Sequence, residues 1–293
     1  MSIPVLASAY RFGINPAWAP VNGFTSGGQT IIARLPTCQA TPTWSDVWAG
    51  SDTGLTTPIY TRSLAAAAFT LAISSDSAND APAGSGALVV QVQYLDANYY
   101  PQVWNATLNG QTAVTGAPTT CLRVNSVQVV SAGSGGANAG HIFAYDSSSA
   151  LVSGVPSTPT KVYDIVPPGY NTDGLGCYTV PANASGPGFY ALISHLSTGV
   201  TTGTATSYNA KIRIGIALYT GTPGAGTLLP FQWATIAGPG TATPNDDFRF
   251  DAPPQLTPGS EIRFQAASST AGAEVIVVAE LILASFSNNS PLP

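Results

Sequence analysis

"KIRIGIAL", residues 211–218, alternates without a break. Ile212, Ile214, Ile216 and Leu218 fall on one side of an extended chain, with Lys211, Arg213 and Gly215 on the other. Successive side chains of a strand point to opposite faces, so this is the pattern of a strand with one face on a core and one toward water. "EIRFQA" (261–266) repeats it, with Ile262 and Phe264 inward and Arg263 outward; "FRFD" (248–251) does so with Phe248 and Phe250. "GALVVQVQYL" (86–95) and "EVIVVAELIL" (274–283) are apolar almost throughout. The second is long enough for a helix, but the β-branched run Val275-Ile276-Val277-Val278 favours a strand, and both are expected to be central strands. "LRVNSVQVV" (122–130) alternates, then slips phase between Val124 and Val127. A β-bulge at Asn125-Ser126 would produce that slip.

Thirty Gly and 24 Pro leave little room for long helices. Turn signals recur at Asn109-Gly110, in the stretch 132–136, at Pro167-Pro168-Gly169 and at Thr257-Pro258-Gly259. Strands at this spacing, about a dozen of them, predict an all-β fold. The expected architecture is an antiparallel β-sandwich, jelly-roll-like, over residues 63–287, in one body or two. No fixed-period repeat of the solenoid or propeller kind is present. Asn109-Gly110 predicts a type I′ hairpin turn between "VWNATL" and "TAV". Asp96 and Asn98 fit the turn that ends the preceding strand, and Pro101 keeps the next segment off a central position.

Residues 1–62 alternate weakly and carry Trp18, Trp44 and Trp48, three of the five tryptophans. This stretch is expected to be an extended, mostly irregular arm lying across another surface, with one short strand at "TIIARL" (30–35). Its removal is expected to leave a folded β protein. Residues 288–293 read as a solvated tail.

Charged residues make up 8% of the 293-residue chain, against roughly 25% in an ordinary soluble domain, while apolar residues make up 44%. Lys161 and Lys211 are the two lysines. No apolar run approaches the roughly 20 residues of a spanning helix, so no membrane partner is expected. The surface must therefore be built from neutral polar residues, a composition that favours association. The net charge is −5 and no basic stripe occurs, so no nucleic-acid partner is expected. Cys38, Cys121 and Cys177 are odd in number and widely spaced, which predicts buried free thiols in a reducing compartment. "MSIPVLASAYRFG" lacks the basic and apolar regions of a signal peptide, so the protein is expected to be made and used without secretion.

Chemistry-bearing constellations are scarce. His141 and His195 are isolated, without Cys or acidic neighbours at ligand spacing, and neither is expected to act as a catalyst or metal ligand. No Gly-x-Ser-x-Gly elbow occurs. Asp246 and Asp247 would point to opposite faces of an extended chain, so they are expected to open a strand rather than share a glycosidic oxygen. "SAGSGGANAG" (131–140) lacks the Lys-Ser/Thr and following helix of a phosphate loop and reads as a flexible connection. "SSDSANDAPAGSG" (74–86) places Asp76, Asn79 and Asp80 off calcium-loop spacing and reads as a solvated loop. The sequons at Asn105 and Asn183 carry little weight without a signal peptide. No enzyme, cofactor or metal site is expected.

One resemblance emerges from an ordered set of motifs: "SSDSANDAPAGSGALVVQVQYLDANYY" (74–100), "ATLNGQTAV" (106–114), "LRVNSVQVVSAGSGGANAGHI" (122–142) and "GLGCYTVPAN" (174–183). The set, spanning roughly 73–183, resembles a group of virion structural proteins of tailed bacteriophages, cyanophages and marine phages among them. "PGSEIRFQAASSTAGAEVIVVAELIL" (258–283) is similar more loosely. The family's glycine-rich loop usually ends Gly-Asp-Ile, whereas here it ends Gly140-His141-Ile142.

The resemblance implies a part of the phage particle. One reading is a capsid decoration or cement protein at the virion surface, made in the host cytoplasm. Its partners would be the major capsid protein and itself, as a homotrimer. A second is a tail, fibre or baseplate component that binds carbohydrate or receptor. A third is a jelly-roll major capsid protein. The aromatics expected at an interface are Trp18, Phe24, Trp44 and Trp48 in the arm, with Tyr99, Tyr100 and Trp104 beyond it.

Overall fold

In the computed structural model the described residues are 29–34, 38–40, 43–51, 55, 57–114, 118–173, 176–182, 189–202, 208–219, 221, 228–238, 245–249, 255–268 and 273–285. They hold nineteen strands and two single-turn 3-10 segments. In chain order the strands are β1 (Gln29–Arg34), β2 (Cys38–Ala40), β3 (Ser45–Asp46), β4 (Leu71–Ser75), β5 (Ala87–Asp96), β6 (Pro101–Thr107), β7 (Cys121–Ala132), β8 (Ile142–Asp146), β9 (Leu151–Val152) and β10 (Val155–Pro156). There follow β11 (Val162–Val166), β12 (Cys177–Thr179), β13 (Phe189–Thr202), β14 (Tyr208–Ala217), β15 (Leu228–Gly238), β16 (Asn245–Arg249), β17 (Gln255–Leu256), β18 (Glu261–Ser268) and β19 (Ala273–Ser285). The dozen strands expected from alternation fall short because β2, β3, β9, β10, β12 and β17 are two or three residues long. A period of two cannot show itself over so short a run.

Two three-stranded antiparallel sheets, β6-β5-β7 and β11-β8-β4, face each other. Their shared core takes Leu71 and Ile73 from β4, Val90, Val92 and Tyr94 from β5, Val124 and Val127 from β7, and Ile142 and Ala144 from β8. β5 is central, as its apolar sequence predicts. β6 starts at Pro101 and lies on the edge, also as expected. The phase slip in β7 is a bulge: Gln93 pairs with Ser126 and Tyr94 with Val124, leaving Asn125 as the extra residue.

Eleven of the remaining strands form a six-stranded sheet, β1-β19-β13-β16 with β17 beside β13 and β2 beside β19, and a five-stranded sheet, β12-β18-β14-β15 with β3 beside β18, while β9 and β10 pair with each other. The opening stretch is β14. Ile212, Ile214 and Ile216 are buried and Lys211 is exposed, as the alternation requires. Leu218 departs from the pattern: β14 ends at Ala217, and Leu218 is exposed in the turn beyond it.

The described part of residues 1–62 is tied into the sheets. β1 extends the six-stranded sheet by six register pairs with β19, from Gln29–Leu283 to Arg34–Val278, and it coincides with the strand expected at "TIIARL". β3 pairs with β18. Trp48, Ala49 and Leu55 pack with Ala72, Phe143, Tyr145, Val162 and Ile165, so they cover the outer face of the β11-β8-β4 sheet. That sheet is buried on both sides, and β4 and β11 are buried at every residue. Removing residues 1–62 would strip this layer away and expose the outer face of that sheet.

Candidate functional site

Three loops meet at one buried carboxylate. Asp80 is fully buried. Oδ1 accepts hydrogen bonds from the amides of Ala87 at 2.7 Å and Ala139 at 2.8 Å. Oδ2 accepts from Ser75 Oγ at 2.6 Å and the amide of Gly140 at 2.9 Å. The backbone carbonyl of Asp80 accepts from the Gly110 amide at 2.8 Å. Beside it, His141 engages both oxygens of Asp76: its amide donates to Oδ1 at 2.8 Å and its ring Nδ1 stands 2.8 Å from Oδ2. Gly140 permits the approach, since a Cβ there would lie 2.1 Å from Asp76 Oδ1. Asn138 closes the far side, its Nδ2 donating to the carbonyls of Gly140 at 2.7 Å and Pro167 at 2.8 Å.

The stretches 74–86 and 131–140, read as solvated and flexible loops, are thus locked to one another. A buried ionised acceptor is stable when its lone pairs are filled, and here four donors fill them. His141 serves as a strut. Gly110 carries φ +58°, but Asn109 is not among the positive-φ residues, so the type I′ turn expected there is absent. Ser153-Gly154, at φ +49° and +82°, joins β9 to β10 instead.

A pocket of about 500 Å³ lies between this junction and the β9–β10 hairpin, walled by Leu55, Ile59, Phe143, Val152 and Val155. Among the described residues Asp76 is its one charged lining residue, and both Asp76 oxygens are already engaged by His141.

A second set of buried charges ties the two three-stranded sheets to the five-stranded sheet. Asp46 on β3 accepts from the Arg62 amide at 2.8 Å, Arg263 Nη1 at 3.1 Å and Gln265 Nε2 at 2.8 Å. Arg62 lies 3.5 Å from Asp164 on β11 and donates to the carbonyls of Val124 and Cys177. Arg123 on β7 pairs with Glu261 on β18 at 2.6 Å and donates to the Ala65 carbonyl at 2.6 Å. Asp173, buried beside Asp164, has its pKa pushed well up, first by desolvation and then by the like charge. Burial likewise raises the thiols of Cys121 and Cys177, both free. Among the described residues no three His, Cys, Asp or Glu side chains are grouped to hold a metal, and no helix is long and apolar enough to cross a membrane.

The aromatics expected at an interface separate. Trp18 and Phe24 lie outside the described residues. Trp44 is half-buried with the Arg213 guanidinium over its ring at 4.1 Å. Trp48 is 1% exposed and donates from Nε1 to the Ile59 carbonyl at 2.8 Å, so its expected interface role is corrected to that of a core residue. Tyr99 is corrected likewise. It is buried with Leu95 and Leu122, packs edge-on against Tyr219 at 5.1 Å, and its hydroxyl pKa is raised to about 12 by desolvation.

Tyr100 is half-buried in the β5–β6 turn, its amide donating to Asp96 Oδ1 at 3.1 Å. Trp104 is half-buried on β6, against the rim of the core. Next to it lies a feature not anticipated: Gln128 Nε2 donates to Gln91 Oε1 and Gln91 Nε2 to Asn105 Oδ1, each at 3.2 Å, an amide ladder across three strands. The polar half of "VQVQY" and the matching spacing in "NSVQ" carried that signal. His195 stands on β13 in register with Arg249 on one side and Glu280 on the other.

No protein-family model matches the chain, and no curated protein matches it. Among solved structures, the infectious bursal disease virus Gx strain structure superposes with a TM-score of 0.24 at 12% identity, covering 90% of this chain and 72% of that one. The structure of the Gt strain gives 0.23 at 10% identity, with 90% and 71% covered. The VP2 subviral particle of the same virus gives 0.18 at 11% identity, with 91% and 74% covered. Superpositions this loose assign no activity or partner to this chain.

Proposed function

We propose that this chain is a non-enzymatic structural protein of a virus particle. The finer reading is a tailed-phage decoration protein that binds the major capsid protein lattice from outside. One observation carries the proposal: the chain has few charges, and at least seven of them are placed in its interior. Asp46, Arg62, Asp80, Arg123, Asp164, Asp173 and Glu261 are all buried, in a chain with 9 basic and 14 acidic residues. The exterior is correspondingly poor in charge, which favours packing against neighbours over free solution. Weak contacts of that kind gain strength when repeated over a lattice. The motif resemblance to phage virion proteins points the same way. His141, a residue type able to do acid–base chemistry, is held as a strut by Asp76.

The test is occupancy on purified particles. Quantitative mass spectrometry of heads separated from tails is expected to find hundreds of copies per head, and heads made without the protein are expected to assemble and then bind it when it is added. A handful of copies confined to tails would refute decoration and favour the fibre reading. Failure of shells to form at all would favour the major-capsid reading.

A further inference from the structure

Among the described strands β6 is an edge strand. It pairs with β5 through seven register positions, from Val89–Thr107 to Leu95–Pro101, and among the described residues no strand pairs with its other edge. Proteins usually guard such an edge with Lys, an inward charge, a bulge or a mid-strand proline. β6, "PQVWNAT", has none of these; its one proline is the first residue. Gln102, Val103, Asn105 and Thr107 are exposed, and Val103 is 45% so. Trp104 sits at the centre of the strand, packed on the core yet left half-uncovered.

We infer that β6 is a homotypic contact, pairing antiparallel with β6 of a second copy about a two-fold axis at Trp104. The strand is self-complementary in three respects. An antiparallel pair centred on residue 104 sets Trp104 against the partner's Trp104 and Val103 against the partner's Asn105, with Gln102 against Ala106. The exposed halves of the two indoles then cover each other where the two cores meet. Two chains of net charge −5 must meet where charge is lowest, and β6 carries none. Asp96, the nearest acid, accepts from Gln102 Nε2 at 3.3 Å at one end of the strand, so the two-fold places the two copies of Asp96 at opposite ends of the joined pair.

Seven residues of strand span only about 23 Å, less contact than the roughly 800 Å² per partner of a stable dimer. The contact is therefore weak in solution, and the dimer is expected at tens of micromolar. A three-fold assembly would use another surface, with β6 joining one assembly to the next.

The test uses the full chain. Sedimentation equilibrium is expected to show a monomer–dimer equilibrium that V103K weakens at least tenfold, with the circular dichroism and Tm of the parent unchanged. Register is read separately with V103C and N105C, both at exposed positions. A mixture of the two chains is expected to form intermolecular disulfides several-fold faster than either alone, since 103 lies opposite 105 across the axis. A monomer up to about 1 mM, well above the tens of micromolar expected for the dimer, overturns the inference. So does an oligomer that V103K leaves intact, or cross-linking of each variant with itself as fast as with the other. Particle binding is a separate measurement, so loss of the dimer leaves the capsid reading standing.

Discussion

Replacing Asp80 with alanine should cost more than any other single polar substitution in the loops. The carboxylate is fully buried and fills four donors, three of them backbone amides. Without it the amides of Ala87, Ala139 and Gly140 lose their acceptor, and each unsatisfied buried group costs about 1–3 kcal/mol. Water entering the vacated space recovers part of this, so D80A is expected to lose about 3–6 kcal/mol in total. That is a large share of the roughly 5–15 kcal/mol by which a domain is stable.

D80N should cost less. One oxygen survives, and the Ser75 hydroxyl can turn to accept; the Gly140 amide cannot, which leaves about 2–3 kcal/mol for one donor facing another. The control is Asp96, which also accepts from two amides, Asn98 at 2.8 Å and Tyr100 at 3.1 Å, in a turn open to water. D96A is expected to cost about 1 kcal/mol or less, because water can replace the lost acceptor. Urea unfolding gives the three values, and native-state hydrogen exchange should show the amides of residues 87, 139 and 140 losing protection together in D80A. If D80A costs no more than D96A, the buried junction does not hold the loops as described.

The Arg123–Glu261 pair should behave as a buried ion pair: R123A is expected to cost about 3–5 kcal/mol, whereas removing both charges as R123M/E261L costs much less. A double-mutant cycle in urea measures the difference. Asp173 sets a pH dependence. Its folded pKa is raised above the unfolded value, so its contribution is full below about pH 4, the ordinary carboxylate range, and is lost as pH rises through the elevated folded value. Tm is therefore expected to fall as pH rises over that window, and D173N to flatten the slope; a Tm slope unchanged in D173N would reject the assignment. Gly154 and Gly136 both hold positive φ, at +82° and +71°, but a Cβ at 154 would lie 1.9 Å from the Ser75 carbonyl oxygen while one at 136 meets nothing within 4 Å. G136A should pay only the backbone strain of about 1 kcal/mol, and G154A distinctly more, read as Tm.

Period-two alternation placed β14 and β18, and the phase slip between Val124 and Val127 located the bulge at Asn125, because a buried face leaves a mark on every second residue. Short strands leave no such mark. The layer containing Trp48 was illegible for a different reason. It has no regular period and packs on the outer side of a sheet whose own strands looked like ordinary core strands, so nothing local told an arm from a covering layer. The interface role expected of Trp48 and Tyr99 failed on the same point: an aromatic in irregular chain is equally suited to a neighbour's surface and to its own.

The polar loops were misread for a further physical reason. "SANDAPAG" has the composition of a solvated turn, and Asp favours turns because its side chain caps nearby amides. Asp80 instead caps amides 59 and 60 residues away, and no window of sequence contains both partners. The charge content of 8% pointed outward, to a neutral surface. It pointed inward as well. With so few charges, each one placed in the interior is one fewer outside, and Asp46, Arg62, Arg123, Asp164 and Glu261 sit where the three-stranded sheets meet the five-stranded one. A charge-poor exterior and an ion-paired interior are thus two sides of one allocation. An edge strand such as β6 can then stay uncharged while the fold is still specified by directional, charge-assisted contacts in its interior.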